Sequence, residues 1–558
     1  MSRLLPLAER GGAVTAALVY AIVAFLFFLR PVLGDPADVC VCQGPFNPDA
    51  YLYMWNFEWW PHALTNLDDP VTTKAIFWPE GANLARVTSV PGPALAAAPF
   101  TALGGPILGY NVVAASAPAL SAFTAFLLCR RLTGSFYPAL FGGYMFGFSS
   151  YVLAQLTGHL NLFLVFLLPV LVHLTLRYVD GELSTIRYAL FAGLALFGQL
   201  LISTEILFTT TLFAVVSLAL AYALMPAGRP RLRASFPGMA TAYGVAGLLG
   251  SVFIYNALRG GGPDPPGVQY GIDPMNLLLP TTLVELGGDR SHNNIQFSGG
   301  FAEAGAYLGL PLLAMVAHWL VSNRRRASAR LLAGVALVAI VLGLGHHVTV
   351  NRFERAWAPW DLLDGLPLFE AVQPVRFSLF LALVASLIGA LWVARANLPR
   401  GIRWAVAAAA ALALFPSLGD RYWYNRPEAP PFFVDDGFKR YLDEDDVALL
   451  LPHKFSGRAM LWHARAGLEF RMAGGYLGET GYDPQEDEPL YPMFRDARVP
   501  AIPNADRELA SYIDRHDVDL VVIDPAQTAY WPYLLGRAGF RGHQEGGVVV
   551  FPTKVPGS

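Results

Sequence analysis

Charge is scarce in this sequence. Only 15 % of the 558 residues are Asp, Glu, Lys or Arg, against about 25 % in a soluble globular domain. That deficit excludes a disordered chain and a simple soluble enzyme. No basic excess is present either: 39 basic residues stand against 42 acidic ones, for a net charge of -3. A nucleic-acid partner, which needs a basic face, is therefore not expected. Cysteine is nearly missing, with only Cys40, Cys42 and Cys129, too few for a disulfide framework. A bridge between Cys40 and Cys42, one residue apart, is strained yet feasible. Two thiols with no histidine beside them do not make a zinc site. No internal repeat, glycine-rich phosphate fingerprint or nucleophile elbow occurs, and the one biased tract is the Ala run at 405–411.

What the chain has instead is long apolar runs, with 54 % hydrophobic residues and a mean hydropathy of +0.42. The first run, 12–33, follows Arg3 and Arg10. At about 20 apolar residues it is long for a signal peptide, and no small-residue cleavage site follows, so it reads as a retained first span. Further runs at 106–129, 136–156, 160–178, 186–202, 205–225, 236–256, 305–321, 330–347, 376–394 and 403–418 bring the expected number of spans to about eleven. The stretch 90–103 opens with Pro91 and Pro93 and is too short to cross, so it is assigned to the interface or to a re-entrant turn. With a cytoplasmic N-terminus, Arg130 and Arg131, Arg177 and Arg187, the run 229–233, Arg324 to Arg326, and Arg395, Arg400 and Arg403 all fall on the cytoplasmic side. The expected fold is thus a polytopic α-helical membrane protein, residues 1–418, with a C-terminal extracytoplasmic domain at 419–558.

The outer side then holds the loops 34–89, 257–304 and 349–375, whose length marks them as functional, and the C-terminal part. There charge becomes frequent, and Val447–Leu451, Leu520–Ile523 and 548–551 read as short buried strands. A helix at 509–515 precedes the second, which points to an α/β domain of about 140 residues. Gly474-Gly475 and Gly546-Gly547 read as turns.

The first outer loop carries the richest chemistry. Residues 49–64 hold Asp49, Tyr51, Tyr53, Trp55, Trp59, Trp60 and His62, the aromatic make-up of an interfacial helix. Asp49 is either the cap of that helix or a general base able to activate an acceptor hydroxyl in a partly dry cavity. At the outer ends of spans stand Arg376, either an anion holder at a helix start or a snorkelling boundary residue; His159 and Asn161 in a tight turn; and Glu205, a carboxylate too costly to face lipid. Lys74 and Arg86 of the first loop are further cations. The glycines after Arg259 make either a mobile flap over a site or an ordinary connection. His346-His347, adjacent in sequence, do not converge on one metal.

Asp49-Ala50-Tyr51-Leu52-Tyr53-Met54-Trp55 with Trp59-Trp60-Pro61-His62-Ala63-Leu64, then Phe77-Trp78-Pro79-Glu80-Gly81-Ala82-Asn83-Leu84, then Gly158-His159-Leu160-Asn161-Leu162 resemble the start of a large group of bacterial multi-span proteins placed with the GT-C glycosyltransferases. The resemblance covers roughly residues 10–260. It implies a bacterial plasma-membrane enzyme that moves a sugar, with inversion, from a polyprenyl-phosphate donor to an extracytoplasmic glycan, glycolipid or protein. It also implies an acidic catalytic residue in the first outer loop: Asp49 by position, with Asp35 as runner-up. Arg376, His159, Lys74 and Arg86 become candidates for the donor phosphate, and Asn161 and Glu205 for the sugar or acceptor. Some relatives use an Asp-x-Asp pair with a divalent cation; here Asp35 and Asp38 have two residues between them, so no metal ligand is assigned and a divalent cation stays open as a cofactor. A non-enzymatic assembly scaffold and a lipid-linked sugar flippase are the alternatives. The absence of an inverted repeat and the gathering of polar groups at outer helix ends argue against the flippase.

Overall fold

The computed structural model describes residues 7–44, 47–259, 269–288, 296–363, 365–366, 369–419, 422–454, 457–478, 482–495, 502–526 and 530–554. They form two compact units. One comprises Met1–Leu33, Val113–Val252 and Pro265–Trp423, the other Gly34–Val112, Phe253–Asp264 and Tyr424–Ser558. The first outer loop thus belongs to the same unit as the C-terminal segment. The glycine run at 260–263 lies outside the described residues.

The expected eleven spans are not found. Among the described residues six helices are long and apolar enough to cross a bilayer: Gly12–Val32, Pro91–Thr133, Leu160–Val179, Thr185–Ile202, Thr204–Leu224 and Pro374–Arg395. A seventh span arises if Pro226–Leu249 and Ser251–Arg259, bent by 73°, count together. Hydropathy counts apolar residues, whereas a span needs unbroken helical rise. The apolar run 136–156 breaks after Gly147 and resumes at Ser150. Leu310–Ser322 and Arg400–Ala413 hold 13 and 14 helical residues, roughly 20 Å at 1.5 Å per residue, short of the ~30 Å hydrocarbon core. The stretch 90–103 is helical from Pro91, and non-helical geometry at Gly104 and Gly105 (φ 78°) separates it from the helix that continues to Thr133.

In the first unit the core is the helix Ser378–Arg395, every residue of which from Ser378 to Val393 is buried. It is apolar all round because it faces protein on all sides. Phe136–Gly147 packs close to its neighbours because Gly142, Gly143 and Gly147 present no side chain. A Cβ on Gly142 would lie 2.8 Å from Ala390 Cβ, one on Gly143 2.2 Å from the Tyr20 hydroxyl, and one on Gly147 2.4 Å from Ala122. Small residues permit such approach within membranes. The two ends of the central helix differ chemically. At its C-terminal end, Arg395 donates to the Leu132 carbonyl, and Arg131 pairs with Asp180 and Glu182. At its N-terminal end, about 27 Å away for 18 residues, sits Arg376 with two glutamates.

The second unit is built on a five-stranded sheet in the order Arg471–Met472, Val447–Leu451, Leu520–Ile523, Val548–Pro552, His543–Glu545. The first three strands are parallel, with Val447 opposite Arg471 and Ala448 opposite Leu520; the last two join antiparallel. The strands are Val- and Leu-rich because both faces are covered. Helix Ala505–Arg515 buries Leu509, Tyr512 and Ile513 on one face of the sheet. Helix Pro48–Asn66 begins at Asn47, whose side chain accepts from the Ala50 amide at 3.1 Å, and Pro48 suits the first turn. It packs on Ala459–Arg465, where Trp55 Nε1 donates to His463 Nδ1 at 3.0 Å and His463 Nε2 donates to the Phe470 carbonyl at 2.7 Å. Cys40 and Cys42 are joined in a disulfide, and Cys40 bridges backbone-to-backbone to Asn425.

Candidate active site

Asp49 stands in the first turn of Pro48–Asn66 and is half-buried. It is not the cap; Asn47 takes that role. Its Oδ1 accepts a hydrogen bond from the Tyr476 hydroxyl at 2.7 Å, and the buried Tyr110 lies within its electrostatic reach. The Tyr476 phenol thus fixes one oxygen of the carboxylate. On the same helix burial pushes the Glu58 carboxyl up to about 7.

Asp35 and Asp38 sit differently. Asp35 pairs with Arg426 and Asp38 with Arg465, at 2.9 Å in the second case. Each is thus charge-matched by its own arginine, a poor starting point for a metal-holding pair, and among the described residues no group of three or more His, Cys, Asp or Glu side chains could hold an ion. Lys74 is exposed, its ammonium 5.4 Å from the centre of the Trp78 ring. Arg86 stacks on Tyr482, 4.1 Å from the ring centre. His346 contacts Asp361 at 2.5 Å and Gln269 at 2.8 Å, while His347 lies 3.9 Å from Glu354; the two histidines serve different partners.

In the first unit a second cluster gathers four of the sequence candidates. Arg376 lies in the turn Pro374–Phe377 that opens the central helix. Its Nη2 reaches Glu303 Oε1 at 2.7 Å, its Nε the same carboxylate at 3.2 Å, and its Nη1 Glu205 Oε2 at 2.6 Å. Glu205 follows Ser203, whose hydroxyl caps the helix Thr204–Leu224. His159 lies 4.0 Å from Glu303 and bonds Gln155 at 2.7 Å, and Asn161 Nδ2 reaches Ser203 Oγ at 3.5 Å. Burial alone would raise the Glu303 carboxyl, but Arg376 and His159 outweigh it and hold it below its ordinary value. The guanidinium thus bridges two carboxylates, with the His159 ring beside one of them. Among the described residues no side chain other than Arg376 is seen to hydrogen-bond the Glu205 carboxylate.

Sequence reasoning missed Glu303, Gln155 and Tyr476. Glu303 had a signal: a carboxylate between Ala302 and Ala304 at the edge of the apolar run from 305. Tyr476 had none, since its partner is 427 positions away.

At the level of the fold the chain is similar to three solved structures. The crystal structure of the oligosaccharyltransferase of Archaeoglobus fulgidus in the apo form matches with a TM-score of 0.55 at 12 % identity, over 92 % of this chain and 69 % of that one. The archaeal oligosaccharyltransferase AglB from the same organism, in complex with an inhibitory peptide and a dolichol-phosphate, matches with 0.52 at 11 % identity, over 98 % and 75 %. The mycobacterial arabinofuranosyltransferase AftD, as the R1389S mutant, matches with 0.53 at 14 % identity, over 97 % of this chain but 41 % of that one. The chain itself belongs to the family described as a domain of unknown function, DUF6311, whose match spans residues 16–415. No curated protein matches the sequence.

Proposed function

We propose that the protein is an inverting glycosyltransferase of the bacterial plasma membrane, with its C-terminal domain outside the cell, that takes a sugar from a polyprenyl-phosphate donor. The observation that carries this reading is Asp49: an outer-loop carboxylate relieved of helix capping by Asn47 and held by a neutral phenol. Asp49 takes the proton of an acceptor hydroxyl. The acceptor oxygen then forms a bond to the anomeric carbon as the bond from that carbon to the phosphate oxygen breaks, and the polyprenyl phosphate leaves with the electron pair. Such chemistry needs a base, a holder for the leaving phosphate and alignment of both substrates. The acceptor is a cell-surface glycan, glycolipid or protein.

Arg376 and His159 are the donor-phosphate candidates this reading favours, ahead of Lys74 and Arg86. Glu303 contacts Arg376 through two nitrogens and anchors it, whereas Glu205 contacts one. A phosphate takes the place of Glu205 on Arg376, which releases that carboxylate to accept a hydroxyl of the sugar, with Asn161 beside it. The GT-C-like fold and a neighbour solved with dolichol-phosphate support the donor class. The test is a panel of polyprenyl-phosphate hexoses and pentoses supplied, with a bacterial cell-envelope extract of glycans, glycolipids and proteins as acceptor, to the full-length protein in proteoliposomes. At least one should release polyprenyl phosphate, and Arg376→Ala should raise the KM for that donor at least tenfold. Release by none, or solute movement without glycosidic bond formation, contradicts the reading.

A further inference from the structure

The geometry points to Tyr476 as a positioning residue for Asp49, contributed by the C-terminal α/β segment. This rests on the assignment of Asp49 as the base. The strands Arg471–Met472, Val447–Leu451 and Leu520–Ile523 run parallel, so the turns that follow them leave one edge of the sheet together. In sheets of this kind, ligands gather outside the carboxyl ends of the strands. The turn after Arg471–Met472 is Ala473, Gly474, Gly475 and Tyr476. A Cβ on Gly474 would lie 2.7 Å from the His453 ring, and one on Gly475 2.7 Å from the Phe77 ring. The backbone therefore threads a slot between two rings that only glycine fits, and the turn has one course to take.

The first outer loop fixes that slot from its other side. The Met472 amide donates to the Ala75 carbonyl at 2.9 Å, the Trp78 amide to the Met472 carbonyl at 3.0 Å and the Phe77 amide to the Gly474 carbonyl at 3.2 Å. Residues 75–78 thus clamp the strand and its turn, and the Lys454 ammonium lies 5.1 Å from the centre of the Phe77 ring. What this assembly delivers is one phenol, 4 % exposed, whose hydroxyl reaches Asp49 at 2.7 Å. That hydrogen bond fixes the orientation of one carboxylate oxygen. The Phe77-Trp78 motif and the Gly474-Gly475 pair then serve a single end: holding the base in place.

The experiment uses full-length protein in proteoliposomes with the polyprenyl-phosphate sugar that the wild type turns over. Tyr476→Phe removes one oxygen and keeps the ring. Its kcat should fall about tenfold to a hundredfold, as loss of alignment does, with the KM for the lipid donor and the thermal unfolding midpoint unchanged. Tyr476→His, which restores a donor, should recover part of the rate. A Tyr476→Phe enzyme with wild-type kcat beside an inactive Asp49→Asn overturns the inference and leaves Asp49 as the base. Loss of rate in both Tyr476 variants together with a lowered unfolding midpoint also overturns it, since that marks a packing role alone. An active Asp49→Asn removes the reading beneath it.

Discussion

Buried ionisable side chains differ here according to whether a counter-charge accompanies them. Glu303 and Arg376 desolvate together; Glu303→Ala leaves Arg376 with Glu205 alone and should cost about 1–3 kcal/mol for the donors left unpaired, seen as a lowered unfolding midpoint in detergent. His463 has no counter-charge. Burial pushes it down to about 4, and it serves as a neutral acceptor for Trp55 and donor to Phe470. Because the folded state binds fewer protons than the unfolded one between about 4 and the ordinary value of 6.5, the stability His463 contributes is lost as pH falls through that window, by about 1.4 kcal/mol per unit. Glu58 runs the opposite way. Its carboxyl is raised from 4.5 to about 7, so the folded state holds an extra proton, and stability is lost as pH rises across that range. Denaturant titrations of His463→Gln and Glu58→Gln at several pH values should diverge from wild type with opposite slopes.

Among the elements, the helix Pro48–Asn66 and three strands of the C-terminal sheet were legible because local pattern determines them: a Pro and an Asn at the helix start, and Val-rich runs between turns. Asp49, Arg376 and Glu205 stood out as charges flanked by apolar sequence. The break at Gly104 and Gly105 coincides with the boundary between the stretches 90–103 and 106–129, but the number of spans was not legible, since hydropathy does not register the interruption after Gly147 or the 13-residue length of Leu310–Ser322. Tyr476 and the pairing of 75–78 with 472–474 depend on contacts some 400 positions apart, which no local pattern encodes. The glycines of Phe136–Gly147 give a test at this scale. Gly143→Val places atoms against the Tyr20 hydroxyl and the Ala122 carbonyl and should cost about 1–3 kcal/mol, whereas Gly244→Val, open on all sides within 4 Å, should cost about 1 kcal/mol or less. Thermal unfolding in the same detergent compares them.

At the scale of the whole molecule, the proposed topology places the C-terminal segment outside the cell and Arg324 to Arg326 on the cytoplasmic side. Cys129 is buried and Cys40 is bonded to Cys42, so introduced cysteines report alone. A membrane-impermeant maleimide on intact cells should label Ser511→Cys and should label Arg325→Cys only after lysis. The central claim is that Asp49 draws the proton from the acceptor while a polyprenyl phosphate departs. Single-turnover reaction of donor-loaded Asp49→Asn with acceptor is its most direct measurement. That variant should bind donor as tightly as wild type, keep its unfolding midpoint and transfer at least a hundredfold more slowly. Transfer at the wild-type rate from that variant contradicts it.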